Sequence, residues 1–272
     1  MDISAGKIDP MDRHAEVAYE SIAPVYDDFT AHHNYEAWIA TLLELATENG
    51  LRNGASRALD VGCGTGKSFA PLLDRGWEVT GCDISASMVE LARQRSGGRV
   101  PLEVVDMREM PVLGSFDIAF CIDDAINYLH SAEELTATLR GVAANLAPDG
   151  LLIFDSNTIS IYRGFFAEHV EVEAGGVRMI WDGHGSLEAR PGDISEASFS
   201  FEPLEGGDGA AVPPELHRQR HHPEPEVRAS IDAAGLELAA LYGHGFDGVP
   251  HQPMSEEDHT KAIYVARLKR TT

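Results

Sequence analysis

Four short clusters in this chain carry residue types at spacings that could do chemistry. The first runs from Ala58 to Lys67 and reads Ala-Leu-Asp-Val-Gly-Cys-Gly-Thr-Gly-Lys, with glycines at 62, 64 and 66 behind Asp60. Glycines permit a tight turn and let a ligand approach the backbone with no Cβ in the way. The second is Asp83, 21 residues beyond Gly62 and directly after the next apolar run. A carboxylate there can accept hydrogen bonds from both hydroxyls of a ribose. The third is Asp106, which follows another apolar run and suits an adenine amino group; Met88 and Met107 are candidates to pack against the ring. The fourth is the stretch 123–129, Asp-Asp-Ala-Ile-Asn-Tyr-Leu, which offers Asp124, Asn127 and Tyr128.

These clusters need elements to hold them. Apolar runs at Arg57–Val61, Trp77–Cys82, Val100–Val105, Phe116–Ile122 and Leu151–Asp155 read as strands. Helical segments at Lys67–Arg75, Ser85–Arg95 and Ser131–Ala147 alternate with them, Ser85 standing at an N-cap and Ser131 with Glu134 at capping-box spacing. Gly76 and the turn Pro148-Asp149-Gly150 close the helices before them. Buried strands alternating with helices predict an α/β fold with a doubly wound, mostly parallel sheet. Ahead of it, Asn34 caps a helix that buries Tyr35, Trp38, Ile39, Leu42, Leu45 and Ala46 and stops at Gly50; residues 1–13 lack periodicity and are expected to fray. After Ser156 the alternation stops. Period-2 runs at Val177–Asp182, Ser195–Phe201 and His217–His222, interrupted by an exposed loop from Pro203 to Pro214, predict an antiparallel insertion. A helix over Glu226–Ala234 and strands at Leu236–Tyr242 and Ala262–Leu268 complete the chain. The expected division is a helical lid over 1–50, a main domain over 51–156 and 223–272, and an insertion over 157–222 that binds the acceptor.

Composition narrows the partners. The 272 residues hold 21 Lys+Arg against 44 Asp+Glu, a formal charge of −23. Phosphate backbones and anionic lipid surfaces would repel such a chain, so neither nucleic acid nor membrane is an expected partner, and most of the acids read as solvated surface. At 43% hydrophobic residues it can bury a substantial core. No apolar run reaches the ~18–20 residues that span a bilayer, and the N-terminus lacks a signal-like apolar stretch. Cys63, Cys82 and Cys121 are scattered and odd in number, which argues for a reducing, cytoplasmic setting. The histidines, His32, His33 and those in 217–222, have no metal-ligand spacing, so no metal is expected.

Two ligands fit the glycine loop and Asp83: a dinucleotide and S-adenosylmethionine. The loop spacing is GxGxG rather than the GxGxxG of dinucleotide sites, and Asp60 ahead of it suits a cationic methionine moiety better than a pyrophosphate. With these residues the chain resembles the class I S-adenosylmethionine-dependent methyltransferases over residues 15–156 and again over 224–268. Residues 59–66 are similar to that family's first motif, Cys82-Asp83-Ile84-Ser85 with Met88 to its second, Val105-Asp106-Met107 to its third, 116–122 to its fourth, and 146–150 to the turn before its fifth strand. The resemblance implies a seven-stranded Rossmann-like sheet with a final antiparallel strand. It also implies that Gly62 and Gly64 line the methionine end, Asp83 holds the ribose, with Ile84 beside it also in the cofactor site, Asp106 and Met107 meet the adenine, and Cys121 and Ile122 supply backbone near the sulfonium. The segment Ala18 to Phe29 is similar to the leading segment of small-molecule methyltransferases, including sugar-amine N-methyltransferases, which implies that Tyr19 and Tyr26 close over the cofactor.

Methyl transfer is an in-line displacement that asks the protein to align the acceptor and exclude water. The chain is therefore expected to methylate a small polar acceptor, foremost an amine nitrogen of a secondary metabolite or aminosugar. Tyr128 departs from the histidine that the sugar-amine subgroup carries near that position, and an unperturbed tyrosine, pKa ~10, is a poor base. Tyr128 is expected to position the amine instead, helped by Asp124 or Asn127, and the carboxylate pair Asp123-Asp124 is expected to favour a cationic acceptor. Tyr162, Arg163, Phe165 and Phe166 follow the fifth strand, and alternation along 217–222 sends Arg218, Arg220 and His222 to one face and His217, Gln219 and His221 to the other. Tyr162, Arg163, Arg218 and His222 are the expected acceptor contacts. O-methylation, a dinucleotide oxidoreductase and a silent cofactor-binding partner subunit remain rival readings, and the sequence leaves a homo-oligomer open.

Overall fold

The computed structural model describes residues 14–174, 176–206 and 210–269. The expected fraying of 1–13 and part of the Pro203–Pro214 loop lie outside the described residues. Helix α1 (His14–Phe29) buries Ala18, Ile22 and Val25 along one stripe. Helix α2 (Tyr35–Glu48) starts at Asn34, whose side chain accepts the Ala37 N–H at 3.1 Å, the N-cap that the sequence predicts.

Strands β1 (Arg57–Val61), β2 (Glu78–Asp83), β3 (Leu102–Val104), β4 (Phe116–Cys121) and β5 (Leu146–Asn157) pair in parallel. Helices α3 (Ala70–Asp74), α4 (Ala86–Arg95) and α5 (Ala132–Ala143) connect them. Ser85 and Ser131 cap α4 and α5 by accepting the Met88 and Glu134 N–H groups, each at 3.1 Å. Helix α3 is shorter than the 67–75 that periodicity predicts, because residues before it are spent in the glycine turns and Pro71 sits in its first turn, where a missing N–H costs nothing. Pro148-Asp149-Gly150 does not precede β5 but lies inside it. Phe116 pairs with Leu146 and Ile118 with Leu151, so these residues bulge out of register between the two pairs.

After α6 (Ile159–Arg163), the insertion forms a separate four-stranded antiparallel meander: β6 (His169–Ala174), β7 (Val177–Gly183), β8 (Ile194–Pro203) and β9 (Val212–Arg220). Strand β6 escapes the sequence reading because its alternating Val170 and Val172 are flanked by acids. Pro213 and Pro214 belong to β9 rather than to a loop; β9 is an edge strand, where a residue without an N–H is tolerated. One face of this sheet buries Met179, Trp181, Phe199 and Phe201 against Ile22, Val25 and Phe29 of α1.

Helix α7 (Glu224–Ala233) returns the chain to the main sheet, where β10 (Leu236–His244), β11 (Pro250–His251) and β12 (Lys261–Leu268) follow. The order is β11-β10-β12-β5-β4-β1-β2-β3, with β12 antiparallel between β5 and β10. The sheet thus has eight strands rather than seven; the extra one, β11, is two residues long. Apolar clusters pack on both faces, around Phe116 and Leu135 on one side and Ile39 and Phe69 on the other. Among the described residues no helix is long and apolar enough to cross a membrane.

Strand β1 lies between β2 and β4, so the chain leaves it in one direction along the sheet and later returns on the other side. Doubly wound sheets bind ligands outside the carboxyl ends of the strands at such a reversal. The glycine loop leaves β1 there, Asp83 ends β2, and Asp123 and Asp124 follow β4.

Candidate functional site

The glycine loop is held by its neighbours before any ligand is considered. Gly62, Gly64 and Gly66 all have positive φ, at +73°, +50° and +81°, a region that side chains avoid. Each has a different neighbour: a Cβ at Gly62 would lie 3.2 Å from the Ala125 Cβ, one at Gly64 would face the Tyr26 ring at 3.9 Å, and one at Gly66 would run into Phe69 at 2.5 Å. Gly66 therefore serves packing, while Gly62 and Gly64 line a cleft. Asp83 accepts the Gly64 N–H at 2.8 Å through one oxygen and the Ser85 N–H at 2.9 Å through the other. Burial pushes its carboxyl up, and those backbone N–H groups oppose the shift.

Helix α1 closes this cleft from above through four anchors. Glu20 accepts Ser85 Oγ and Ser87 N–H, both at 3.0 Å, so a carboxylate meets the positive end of α4. Thr65 Oγ1 donates to Asp27 Oδ1 at 2.6 Å, Lys67 Nζ donates to the Thr30 carbonyl at 2.9 Å, and Ser21 Oγ donates to Glu215 of β9 at 2.9 Å. The result is a cleft lined by Tyr19, Tyr26, Gly62, Gly64, Asp83, Ile84, Asp106, Met107 and Ile122. Asp106 is clamped by Arg108, whose Nε lies 3.0 Å from both carboxylate oxygens.

A second cavity of about 480 Å³ opens under the insertion. Tyr19, Tyr26, Asp123 and Tyr128 line both spaces and so form the partition between them. Asp123 and Asp124 are consecutive non-glycine residues with φ of 57° and 55°, a strained conformation that needs support. Asp155, wholly buried at the end of β5, supplies it by accepting both their N–H groups, at 2.9 and 2.7 Å. Lys261 of β12 donates to Asp155 at 3.1 Å and lies 3.6 Å from Asp124. Burial alone would lower the Lys261 pKa, but the carboxylates of Asp155, Asp124 and Asp123 hold it above the ordinary lysine range. Asp124 also accepts from Asn157 at 3.1 Å and from Gln219. Tyr35 donates to Asp123 at 2.7 Å; burial raises the Asp123 carboxyl to about 6, with Lys261 pulling it down.

Across the partition runs a line of three rings. Tyr19 Oη donates to Tyr128 Oη at 3.2 Å, and Tyr128 Oη is hydrogen-bonded to His217 Nδ1 at 2.8 Å. Burial lowers the His217 pKa to about 4, so its imidazole is neutral at ordinary pH. The tautomer of His217 decides whether Nδ1 accepts from Tyr128 Oη or donates to it, and the ring's other nitrogen is Nε2. That Nε2 is buried without a hydrogen-bond partner among the described residues. Burial likewise raises the pKa of Tyr19, Tyr26 and Tyr128, so all three remain neutral hydroxyls.

Several sequence candidates lie outside both spaces. Asp60 is buried beneath Ser68, which donates to it at 2.5 Å. Met88 packs in the cluster beneath the insertion, and Cys121 lies in the sheet core. Asn127 ties the loop together, donating to the Arg220 carbonyl and accepting the Asn157 N–H, both at 2.9 Å. Tyr162 is buried with its hydroxyl on the Arg220 carbonyl at 3.1 Å, and Arg163 pairs with Glu257 at 2.7 Å. Arg218 pairs with Glu196 at 2.8 Å on the outer face of β9, and His222 is fixed between the Leu129 carbonyl at 3.0 Å and Glu226. The alternation along β9 is present, but the face with His217 and Gln219 is the one turned to the cavity. Charged Arg218 and Arg220 find acidic partners outside, which is the signal that could have chosen the face. Asp155, Asn157 and Lys261 are the further site residues that sequence reasoning missed. They meet through the β4–β5–β12 register, where Lys261 pairs with Asn157, a pairing that no local pattern encodes.

Residues 58–150 match the family model described as a methyltransferase domain. A relative from Geobacillus sp. (strain WCH70), named as a putative methyltransferase, is 36% identical over 261 residues, covering 92% of this chain and 100% of the relative. A second relative, from Streptomyces fradiae, is 29% identical over 191 residues and covers 70% of this chain and 73% of its own length. It is named as a dTDP-3-amino-3,6-dideoxy-alpha-D-glucopyranose N,N-dimethyltransferase. Among solved structures, an S-adenosylmethionine-dependent methyltransferase from Clostridium acetobutylicum ATCC 824 superposes with a TM-score of 0.75 at 21% identity. It covers 93% of this chain and 100% of that one, and it shares the fold.

Proposed function

Because the chain belongs to the class I S-adenosylmethionine-dependent methyltransferases, we propose that it transfers a methyl group from that cofactor to an amine nitrogen of a small acceptor held under the insertion. The observation that carries this reading is the shared partition: Tyr19, Tyr26, Asp123 and Tyr128 line both the glycine-loop cleft and the larger cavity. Two molecules bound in these spaces would meet at that partition.

The cleft fits the cofactor on its own terms. Backbone at Gly62 and Gly64 is bare and pre-set at positive φ. Asp83 is fixed by two N–H donors and, as a carboxylate with about four acceptor sites, retains two for ribose hydroxyls. Gly62, Gly64, Asp83, Ile84, Asp106 and Met107 would hold the group, with Tyr19 and Tyr26 covering it. When bound, S-adenosylmethionine supplies a methyl already activated on a sulfonium. The protein then needs no strong base, and its residues act by orientation and exclusion of water.

Tyr128 is the positioning hydroxyl. It is neutral, and in the tautomer in which His217 Nδ1 accepts its proton, that hydrogen bond fixes the rotation of the O–H and turns the oxygen's lone pairs toward other donors. An amine N–H held by that oxygen would keep its own lone pair for the methyl. The carboxylates at 123, 124 and 155 outnumber the ammonium of Lys261 and so favour a cationic acceptor on arrival, in a cytoplasmic enzyme of small-molecule metabolism. The acceptor ammonium then gives up one proton to these carboxylates or to solvent, and the neutral amine left behind has the lone pair that takes the methyl. The name of the Streptomyces fradiae relative, an amino-sugar N,N-dimethyltransferase, supports nitrogen over oxygen as the target.

Calorimetric titration with S-adenosylhomocysteine tests the cofactor half: binding by the wild type and at least a tenfold loss in Asp83→Ala are expected, roughly the value of one charge-assisted hydrogen bond. Equal binding by both proteins would overturn the assignment. Mass spectrometry of metabolite extracts incubated with enzyme and methyl-labelled cofactor tests the rest; label appearing on oxygen alone would overturn the amine reading.

A further inference from the structure

The second cavity has two unlike ends. Its roof and walls are hydrocarbon: Phe29 from α1, Phe165 after α6, and Met179, Trp181, Phe199 and Phe201 from the insertion. The one polar atom of these side chains, Trp181 Nε1, is already spent on the Phe165 carbonyl at 2.9 Å. Phe199 stacks edge-on against Phe29, Trp181 and Phe201, with centroids 5.0, 5.7 and 4.7 Å away, so the walls form one aromatic box. The floor at the partition is polar and acidic. There Asn157 and Gln219 are committed to Asp124, and Lys261 is committed to Asp155 and Asp124.

The charge count on that floor decides what can enter. Asp123, Asp124 and Asp155 face a single ammonium, Lys261, so the floor is left with excess negative charge. Among the described residues no arginine lines the cavity, and its remaining cationic candidates are His32, His33 and His217. Burial holds His217 at about 4, and burial with the neighbouring His32 and Lys261 holds His33 at about 4, so neither is charged near neutrality. A diphosphate brought into this space would lose its hydration with no guanidinium or free ammonium to replace it, beside carboxylates of its own sign. An ammonium group meets the opposite situation at the floor, and an apolar body meets matching walls.

We propose that the acceptor is a compact amine with an aromatic or branched aliphatic body, carried without a nucleoside diphosphate. The amine lies at the Asp123–Tyr128 end and the body lies in the box formed by Trp181, Phe199 and Phe201. This rests on the amine-methylation reading and separates the chain from the nucleotide-sugar acceptor in the name of its Streptomyces fradiae relative.

The test is a calorimetric series on the full-length protein saturated with S-adenosylhomocysteine, using 2-phenylethylamine, 2-phenylethanol, ethylamine and thymidine diphosphate. The amine with the ring is expected to bind at least about tenfold more tightly than the alcohol, which lacks the charge, and than ethylamine, which lacks the ring. Thymidine diphosphate is expected to give no heat. Binding of thymidine diphosphate, equal binding of the two phenyl compounds, or no binding of 2-phenylethylamine would each overturn the proposal. S-adenosylhomocysteine binding is measured first and separately. Its failure would strike the cofactor reading, whereas its success with a failed amine series would strike only the acceptor class. The series needs no variant, so no folding defect can imitate either result.

Discussion

Tyr128 Oη and His217 Nδ1 lie 2.8 Å apart, joining the loop after β4 to the last strand of the insertion across 89 positions of sequence. If that bond sets the Tyr128 hydroxyl, Tyr128→Phe and His217→Phe should each lower kcat about 10- to 100-fold, the usual cost of a misplaced reacting group. Affinity for S-adenosylhomocysteine should stay unchanged in both. Phenylalanine refills the space of either ring, so a purely packing role for His217 would leave kcat intact. The double variant should be no slower than Tyr128→Phe alone, because His217 acts through the hydroxyl that Tyr128→Phe removes.

The glycine-loop side of the candidate site was legible in the sequence because its parts are local. Glycines at 62 and 64 and the acid at 83 sit at strand ends that periodicity locates, and a parallel sheet brings successive strand ends together. The side under the insertion was less legible for a physical reason. Whether Arg218 or His217 turns inward depends on which face of β9 meets α1, and that is settled by long-range pairing with β8 and by Glu196 on the outer side. Asp155 and Lys261 meet only because β12 inserts antiparallel beside β5. The strained pair at 123–124 was visible as two acids, but its left-handed backbone was not.

Replacing Lys261 by methionine should be costly even though Lys261 is no part of the proposed chemistry. Its ammonium lies 3.1 Å from Asp155, which is wholly buried and holds both N–H groups of the strained pair. Removing one partner of a buried ion pair leaves an uncompensated charge, a loss of about 3–5 kcal/mol. Lys261→Met should therefore lower the denaturant midpoint by that amount of stability at unchanged m-value. A change below about 1 kcal/mol would mean that the carboxylates are solvated enough to do without it.

Asp60 gives stability a pH dependence of unusual sign for a carboxylate. Burial lifts its carboxyl to about 7, against the Ser68 hydrogen bond that lowers it. The unfolded chain releases this proton near pH 4, so between about pH 4 and 7 the folded state binds more protons than the unfolded one. The contribution is fully present below pH 4 and is lost as pH rises through 7. Asp60→Asn keeps an acceptor for Ser68 and cannot ionise. The variant should gain on the wild type by up to a few kcal/mol between pH 4 and pH 8. Parallel stability curves for the two proteins in urea across that range would show that the carboxyl titrates normally.

Amine recognition should carry its own acid limb, with Asp123 as the titrating group. Its carboxyl is surrounded by Tyr35 from α2, Tyr26 from α1, Asp124 beside it, Asp155 from β5 and Lys261 from β12. Burial raises it to about 6 while Lys261 opposes the rise, so it is ionised at pH 7.5 and takes up a proton below 6. That proton removes one of the negative charges that favour an ammonium. Binding of 2-phenylethylamine should weaken about tenfold between pH 7.5 and 5, as expected for the loss of one nearby charge, while binding of 2-phenylethanol should not move. His217 contributes nothing in this window, since burial keeps it neutral down to about 4. The limb should vanish in Asp123→Asn, whose amide can still accept from Tyr35. An identical limb in that variant would take the titration away from Asp123 and give it to another group of the cavity lining, such as Asp124, whose carboxyl burial also raises.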